Sequence, residues 1–404
     1  MTTPRLLFAS YHGYLDDASG AALSTRDLFE DLTAHGWDCR VVCGPQLDYA
    51  DGRGPADVLA AHGLGYHLER CAPPGGPRFD LFHYTAGGVP VVQYLPDGHV
   101  PGRPPEQRPG VAFLELVERA CARDRPDVVL TYGGLPVAPH LIRRAQRRGA
   151  KVVFGLHNFA YLDPAAIRGA DAFRVPSEFA RRAYRERAGL EAEAVEYPRN
   201  LDRVLAPGAP GRHVTLVNPQ PVKGVGLFAR VALELARRPD MPFLTVEGRG
   251  GVGWLHRLPA DVSGLTTLHG MAATPYPRDF YAESRVVLVP SLWEETFGRV
   301  AAEALANGLP VLASTRGALP ETLGDAGLLF DVPETYAGRG ADVPTAAEVA
   351  GWVAAVERLY DDEAYYQEHR RRARERARAW EPDRLRPGVE AFFHRVATGA
   401  RAAG

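Results

Sequence analysis

Apolar positions along the chain follow two spacings. Short runs rich in β-branched residues stand at Leu6–Ser10, Cys39–Cys43, Val128–Thr131, Val152–Leu156, Phe173–Pro176, Val214–Asn218, Phe243–Glu247, Val286–Pro290 and Val311–Ala313. Between them, segments such as Ala21–Ala34, Val111–Arg123, Phe228–Arg238 and Ala301–Ala306 repeat their apolar residues at helical spacing. Strands alternating with helices predict an α/β protein with parallel sheets covered on both faces. A stretch rich in Pro, Gly and Arg, Pro198–Arg212, resists both regular structures and reads as an interdomain linker. It leaves a half on each side with its own βα alternation. Pro73–Arg108, also rich in Pro and Gly, reads as a long loop. Beyond Glu363 the chain is helical and Arg-rich through Trp380, and Pro382 breaks it before a further amphipathic stretch.

Composition narrows the classes. The 404 residues are 46% hydrophobic and 24% charged, which suits about two globular domains and excludes a mainly disordered chain. A net charge of −2 gives no general attraction to nucleic acid or anionic membrane. The Arg run Arg370–Arg378 has Glu368 and Glu375 beside it and reads as a solvated helix face. Cys39, Cys43, Cys71 and Cys121 form no Cys-x-x-Cys pair and no disulfide framework, as expected of a reduced, cytoplasmic protein. No run approaches a transmembrane span, and the first residues lack the features of a signal peptide. No His/Cys set has metal-ligand spacing, so neither metal nor cofactor is expected.

The strongest chemical signal is the run from Pro290 to Val311, PSLWEETFGRVAAEALANGLPV. A strand ends at Pro290, a polar loop carries Glu295, and a helix begins near Gly298 and carries Glu303. Ligands of open α/β sheets bind outside the carboxyl ends of strands, where such a loop lies. The helix start offers unpaired N–H groups suited to phosphate, and a carboxylate such as Glu303 can accept two ribose hydroxyls. The Glu-x7-Glu spacing, the intervening Thr296-Phe297-Gly298 and the Gly308-Leu309-Pro310 that follows resemble the signature of glycosyltransferase family 4. Gly317-Ala318-Leu319-Pro320-Glu321, Gly327–Phe330, Val222-Lys223-Gly224, Ser177-Glu178-Phe179 and Asn200-Leu201-Asp202 extend the likeness over most of the chain.

The resemblance implies a retaining enzyme of two Rossmann-like domains facing a central cleft, the GT-B architecture. It places an acceptor domain at 1–205, joined by a returning helix at about 381–404, and a nucleotide-sugar domain at 206–380. Lys223 falls where the family has a phosphate-binding lysine, and only Lys151 and Lys223 among the 47 basic residues are lysines. Five residues before it, where the family usually has Arg, stands Asn218, and Arg249 is a candidate replacement. Gly20, in Ala18-Ser19-Gly20, matches the small-residue loop before the first helix. His157 matches a position near the transferred sugar. His12, Asp16 and Asp17 follow the first strand and are candidate acceptor contacts.

These assignments imply a donor site of Lys223, Arg249, Glu295, Thr296, Phe297, Gly298, Glu303 and Gly20, with Glu295, Lys223 and His157 nearest the chemistry. The donor would be a UDP-sugar or similar and the acceptor a hydroxyl. Metal-free, front-face displacement is expected, in natural-product or envelope glycan synthesis. Rival readings on the same architecture are a nucleotide-sugar epimerase, a phosphorylase, or a non-catalytic nucleotide-sugar-binding protein.

Overall fold

The computed structural model describes residues 3–49, 52–100, 106–133, 136–333, 336 and 342–400. Two compact units divide between Arg199 and Asn200 and again between Glu381 and Pro382.

The first unit is built on a nine-stranded sheet. Its strands are β1 Leu6–His12, β2 Cys39–Gln46, β3 His67–Cys71, β4 Phe79–Ala86, β5 Val89–Pro96, β6 Val128–Thr131, β7 Lys151–Gly155, β8 Ala172–Val175 and β9 Glu193–Ala194. Their order is β3-β4-β5-β2-β1-β6-β7-β8-β9. β1 pairs in parallel with β2 and β6, and Leu6 lies opposite both Cys39 and Val128. Burial on both faces explains the continuous apolar run of β1, which is buried from Leu6 to Tyr11. Helix Gln107–Asp124 lays Phe113, Leu114, Val117 and Cys121 onto the sheet, as its spacing predicts.

Part of the expected loop Pro73–Arg108 is a β-hairpin, and 101–105 lie outside the described residues. β4 and β5 pair antiparallel, as do β3 and β4, so this sheet is mixed where a parallel one was expected. The turn is Gly87-Gly88, with both φ values positive (54° and 81°), a geometry glycine adopts without strain. Pro90 and Pro96 suggested a loop, but both lie outside the Val91–Gln93 stretch that must bond to β2.

Helix Pro382–Thr398 belongs to the first unit, the return that the resemblance implied. It buries Val389, Phe392 and Phe393, and Arg386 holds both oxygens of Asp31 at 2.8 Å.

The second unit holds a six-stranded sheet, all parallel: β10 His213–Val217, β11 Phe243–Val246, β12 Leu268–Met271, β13 Ser284–Val289, β14 Val311–Ser314 and β15 Gly327–Phe330. The order β12-β11-β10-β13-β14-β15 reverses direction between β10 and β13. A crevice at the carboxyl ends of strands opens at such a switch point. The expected linker is only partly free of structure. Helix Leu201–Val204 docks on the second unit, where the Asn307 side chain bonds Val204 O (3.0 Å) and Ala206 N (2.7 Å). The boundary therefore falls at Arg199, not 205. Among the described residues no helix is long and apolar enough to cross a membrane.

Candidate functional site

Two loops meet at the switch point of the second sheet. After β10 the backbone enters the left-handed region at Asn218 (φ 63°), runs through a 3-10 turn Pro221–Lys223, and starts helix Val225–Glu234 after Gly224. After β13 comes Pro290-Ser291-Leu292, and Leu292 N–H donates to Val222 O at 2.9 Å. Gly224 has φ 82°, and a Cβ there would lie 2.1 Å from Pro290 O. Only glycine allows this approach, and the approach brings Lys223 onto the β13 loop. Gly224→Ala should therefore cost about 2–4 kcal/mol, from left-handed strain plus a backbone clash. Urea denaturation of the variant checks this, and wild-type stability would refute it.

Glu295 is held from a third side. It forms a parallel bridge with Gly317, and its carbonyl accepts from Ala318 N–H at 2.7 Å. Its carboxylate receives Lys223 Nζ at 2.6 Å and Ser291 Oγ at 2.6 Å, and the Trp293 ring lies against the same ammonium, its centroid 4.3 Å from Nζ. The Lys223 and Glu295 side chains are 21% and 12% exposed. Burial raises the Glu295 pKa, but Lys223, Ser291 and Trp293 outweigh it and hold the carboxyl below its usual range. An ammonium and a carboxylate thus share the strand-end crevice.

Gly298, at φ 90°, opens helix Arg299–Ala306, and a Cβ there would meet Leu319 Cδ2 at 2.6 Å. Thr296 is buried. Phe297 packs edge-on against Trp380 with centroids 5.8 Å apart, while its carbonyl accepts from Thr322 Oγ1. Glu303 is 3% exposed and turned onto protein groups. Tyr281 OH donates to its Oε2 at 3.1 Å. Arg299 Nε approaches Oε1 at 2.5 Å, an ion-pair distance without hydrogen-bond angles, so the contact counts as charge neutralisation. A ribose would have to share Glu303 with these partners.

Asn218 has a local task where the family usually has Arg. Its left-handed backbone suits asparagine, and its Oδ1 accepts Gly250 N–H at 2.7 Å. It therefore anchors the loop that carries Arg249, an exposed residue just beyond β11.

The other candidates lie on the first unit, at the strand ends around its own switch point between β1 and β6. His12 ends β1, Tyr132 follows β6 and His157 follows β7, with ring centroids 5.8 Å and 5.3 Å apart in that order. His157 is half-buried. Desolvation and the Arg174 charge lower its pKa to about 3, so the imidazole is neutral at physiological pH.

Asp16 and Asp17 turn inward. Asp16 accepts from Asp48 N–H (2.7 Å) and Ala18 N–H (3.0 Å), and burial with the neighbouring Asp48 charge raises it to about 8. Asp17 bonds Arg26 NH1 and His62 Nε2, both at 2.8 Å. Both carboxyls organise the loop before helix Gly20–Ala34. Gly20 is exposed, with nothing within 4 Å of where a Cβ would stand, so space is open at that helix start.

The fold thus joins Lys223 to Glu295 and gathers His12 with His157. Ser291, Trp293, Tyr281 and Arg299, which complete the second-unit site, were not singled out by sequence reasoning. Trp293 had a legible signal, an aromatic residue in a polar loop beside the motif glutamate.

A model of group 1 glycosyl transferases matches residues 212–362, and a glycosyl transferase 4-like domain model matches 19–200. The chain belongs to the family 4 glycosyltransferases. A phosphatidyl-myo-inositol mannosyltransferase of Mycolicibacterium smegmatis is 33% identical over 39% of this chain and 44% of its own length. A D-inositol 3-phosphate glycosyltransferase of Mycolicibacterium vanbaalenii is 35% identical over 31% of each chain. These matches span less than half of either relative. A D-inositol 3-phosphate glycosyltransferase of Streptomyces scabiei matches more broadly, 28% identical over 78% of this chain and 86% of its own. Sucrose-phosphate synthase from Thermosynechococcus elongatus shares the fold, with TM-score 0.69, 17% identity and coverage of 98% and 100%. Anabaena HepE, solved with UDP and glucose, does so at TM-score 0.66, 15% identity and 97% and 99% coverage.

Proposed function

We propose that this family 4 chain transfers a sugar from a nucleotide-sugar donor to an acceptor hydroxyl, with retention of the anomeric configuration. The Lys223–Glu295 pair at the second-unit switch point carries the reading, because it sets a cation suited to phosphate beside a carboxylate suited to hydroxyls. In front-face displacement the bond from the anomeric carbon to the diphosphate oxygen breaks. The acceptor oxygen bonds the same face, and its proton passes to the departing diphosphate. Lys223 and the Gly298–Arg299 helix start stabilise the growing diphosphate charge, with Arg249 as a second cation. Glu295 fixes the sugar hydroxyls.

Support for a nucleotide donor comes from the fold neighbours, of which HepE holds UDP and glucose and starch synthase IV of Arabidopsis thaliana holds ADP and acarbose. The inositol-phosphate relatives make cyclitol phosphates the first acceptors to try. Epimerase and non-catalytic readings gain no support from these relatives. In this reading cations and N–H groups alone serve the diphosphate, without a metal ion.

The test is incubation with UDP-, GDP- and ADP-sugars and a panel of hydroxyl acceptors, with and without excess chelator. Proton NMR of the product's anomeric coupling is expected to show the donor's configuration, with turnover unchanged by chelation. An inverted product refutes retention. Loss of activity that magnesium restores refutes metal independence.

A further inference from the structure

The Glu295 carboxylate is held from two loops of the second sheet, and the two holds differ in kind. Lys223 reaches it from the loop after β10, and Ser291 from the loop after β13, four residues before Glu295 itself. Both donors end on the same oxygen, Oε1, each at 2.6 Å. Ser291 is buried, and its own carbonyl accepts from Ser314 Oγ at 2.7 Å. Ser314 is the last residue of β14 and is fully buried. A line of hydrogen bonds thus runs from the core of the sheet through Ser291 to the carboxylate.

On the donor reading, the Lys223 ammonium must turn to the diphosphate, and Oε1 then loses a cation. The Ser291 hydroxyl has no such second task. It is short and enclosed, so keeping it in place costs little rotamer freedom. It also shares a loop with Glu295, so its hold does not depend on where the β10 loop directs Lys223. We infer that Ser291, braced by Ser314, is a positioning residue that keeps Glu295 Oε1 fixed while Lys223 serves the diphosphate, and so turns Oε2 toward the sugar hydroxyls. An ionised carboxylate accepts through both oxygens, so a neutral donor on one leaves the other for the ligand. This inference rests on the proposed donor site.

Diphosphate affinity and turnover read the two holds separately. Calorimetric titration with UDP, ADP, GDP and dTDP first identifies the diphosphate that the wild type binds. Ser291→Ala should keep affinity for it within about threefold, because Lys223 and the helix start are untouched. The same variant should lose about tenfold or more in kcat, the effect of one hydrogen bond to a charged group. Ser291→Cys keeps the size and offers only a weak donor, so its kcat should fall between those of Ser291→Ala and wild type, with affinity retained. Ser314→Ala removes the brace, and adding it to Ser291→Ala should lower kcat little further, because both act along one line. A merely structural serine would lower affinity and kcat together. Wild-type kcat in Ser291→Ala (or in Ser291→Cys, should the alanine variant not fold) overturns the inference. So do matched losses of affinity and kcat, or losses that multiply fully in the double variant. Each of these results leaves the donor site standing. If the wild type binds none of the four diphosphates, the donor site itself falls, and the role of Ser291 with it.

Discussion

Lys223→Ala should lower kcat about 10²–10³-fold, the usual effect of removing one preorganised group that stabilises a leaving-group charge. The loss should appear in kcat and not only in KM, because diphosphate charge grows in the transition state. The structure adds a consequence for stability. Lys223 is the 2.6 Å partner of a carboxylate that is largely enclosed. In the wild type, burial raises the Glu295 pKa and its partners bring it below the ordinary 4.5. A lowered folded-state pKa contributes stability that is present above the unfolded value and is lost as pH falls through the folded one. Without Lys223 its charge and hydrogen bond no longer oppose burial, so the Glu295 pKa rises and the stability this group contributes at higher pH shrinks. Melting temperatures at about pH 5 and about pH 8 should thus fall with pH in the variant relative to the wild type. Undiminished kcat in the folded variant would reduce Lys223 to a counter-ion of Glu295. An unchanged pH dependence would show that the pair contributes nothing to stability.

The two motif glutamates should separate cleanly. Glu303→Ala removes the buried carboxylate that meets Arg299 and Tyr281, and an expected cost of about 1–3 kcal/mol follows from the lost ion pair and hydrogen bond. The same variant should bind the free nucleoside diphosphate about ten- to hundredfold more weakly, through lost ribose hydrogen bonds. Glu303→Gln, which keeps an acceptor for Tyr281, tells the two effects apart. Its stability should recover further than its affinity. Glu295→Ala should leave diphosphate affinity at or above the wild-type level, because Lys223 no longer has to leave a carboxylate, yet sugar transfer should collapse. Calorimetry with the diphosphate, denaturation and turnover of all three variants decide the matter. A loss of diphosphate affinity in Glu295→Ala equal to that in Glu303→Ala refutes the division of roles.

Much of the architecture is visible in one dimension because its causes are local. A strand buried on both faces needs a run of apolar β-branched residues, so Val128–Thr131 was recognised to the residue. Helical spacing located Gln107–Asp124 and Arg299–Ala306 with errors of a few residues at their starts, where caps and not periodicity set the limit. The Pro290–Val311 run and the rarity of lysine pointed to Glu295, Glu303 and Lys223 before any fold was known. Partners are another matter, since they come from distant segments. Lys223 and Glu295 are 72 positions apart and meet because β10 and β13 are neighbours and Gly224 lets their loops touch. The hairpin of β4 and β5 depends on β2 as a docking edge, which a proline-rich stretch does not reveal. Asp16 and Asp17 have the composition of a ligand site, yet backbone N–H groups, Arg26 and His62 draw them inward. Asn218 reads as a missing cation until its left-handed backbone and its bond to Gly250 show that it shapes the Arg249 loop. Residue type and spacing specify what a segment can do, while burial and neighbours across the chain select what it does, because charge, hydrogen bonding and desolvation depend on surroundings that sequence order does not contain.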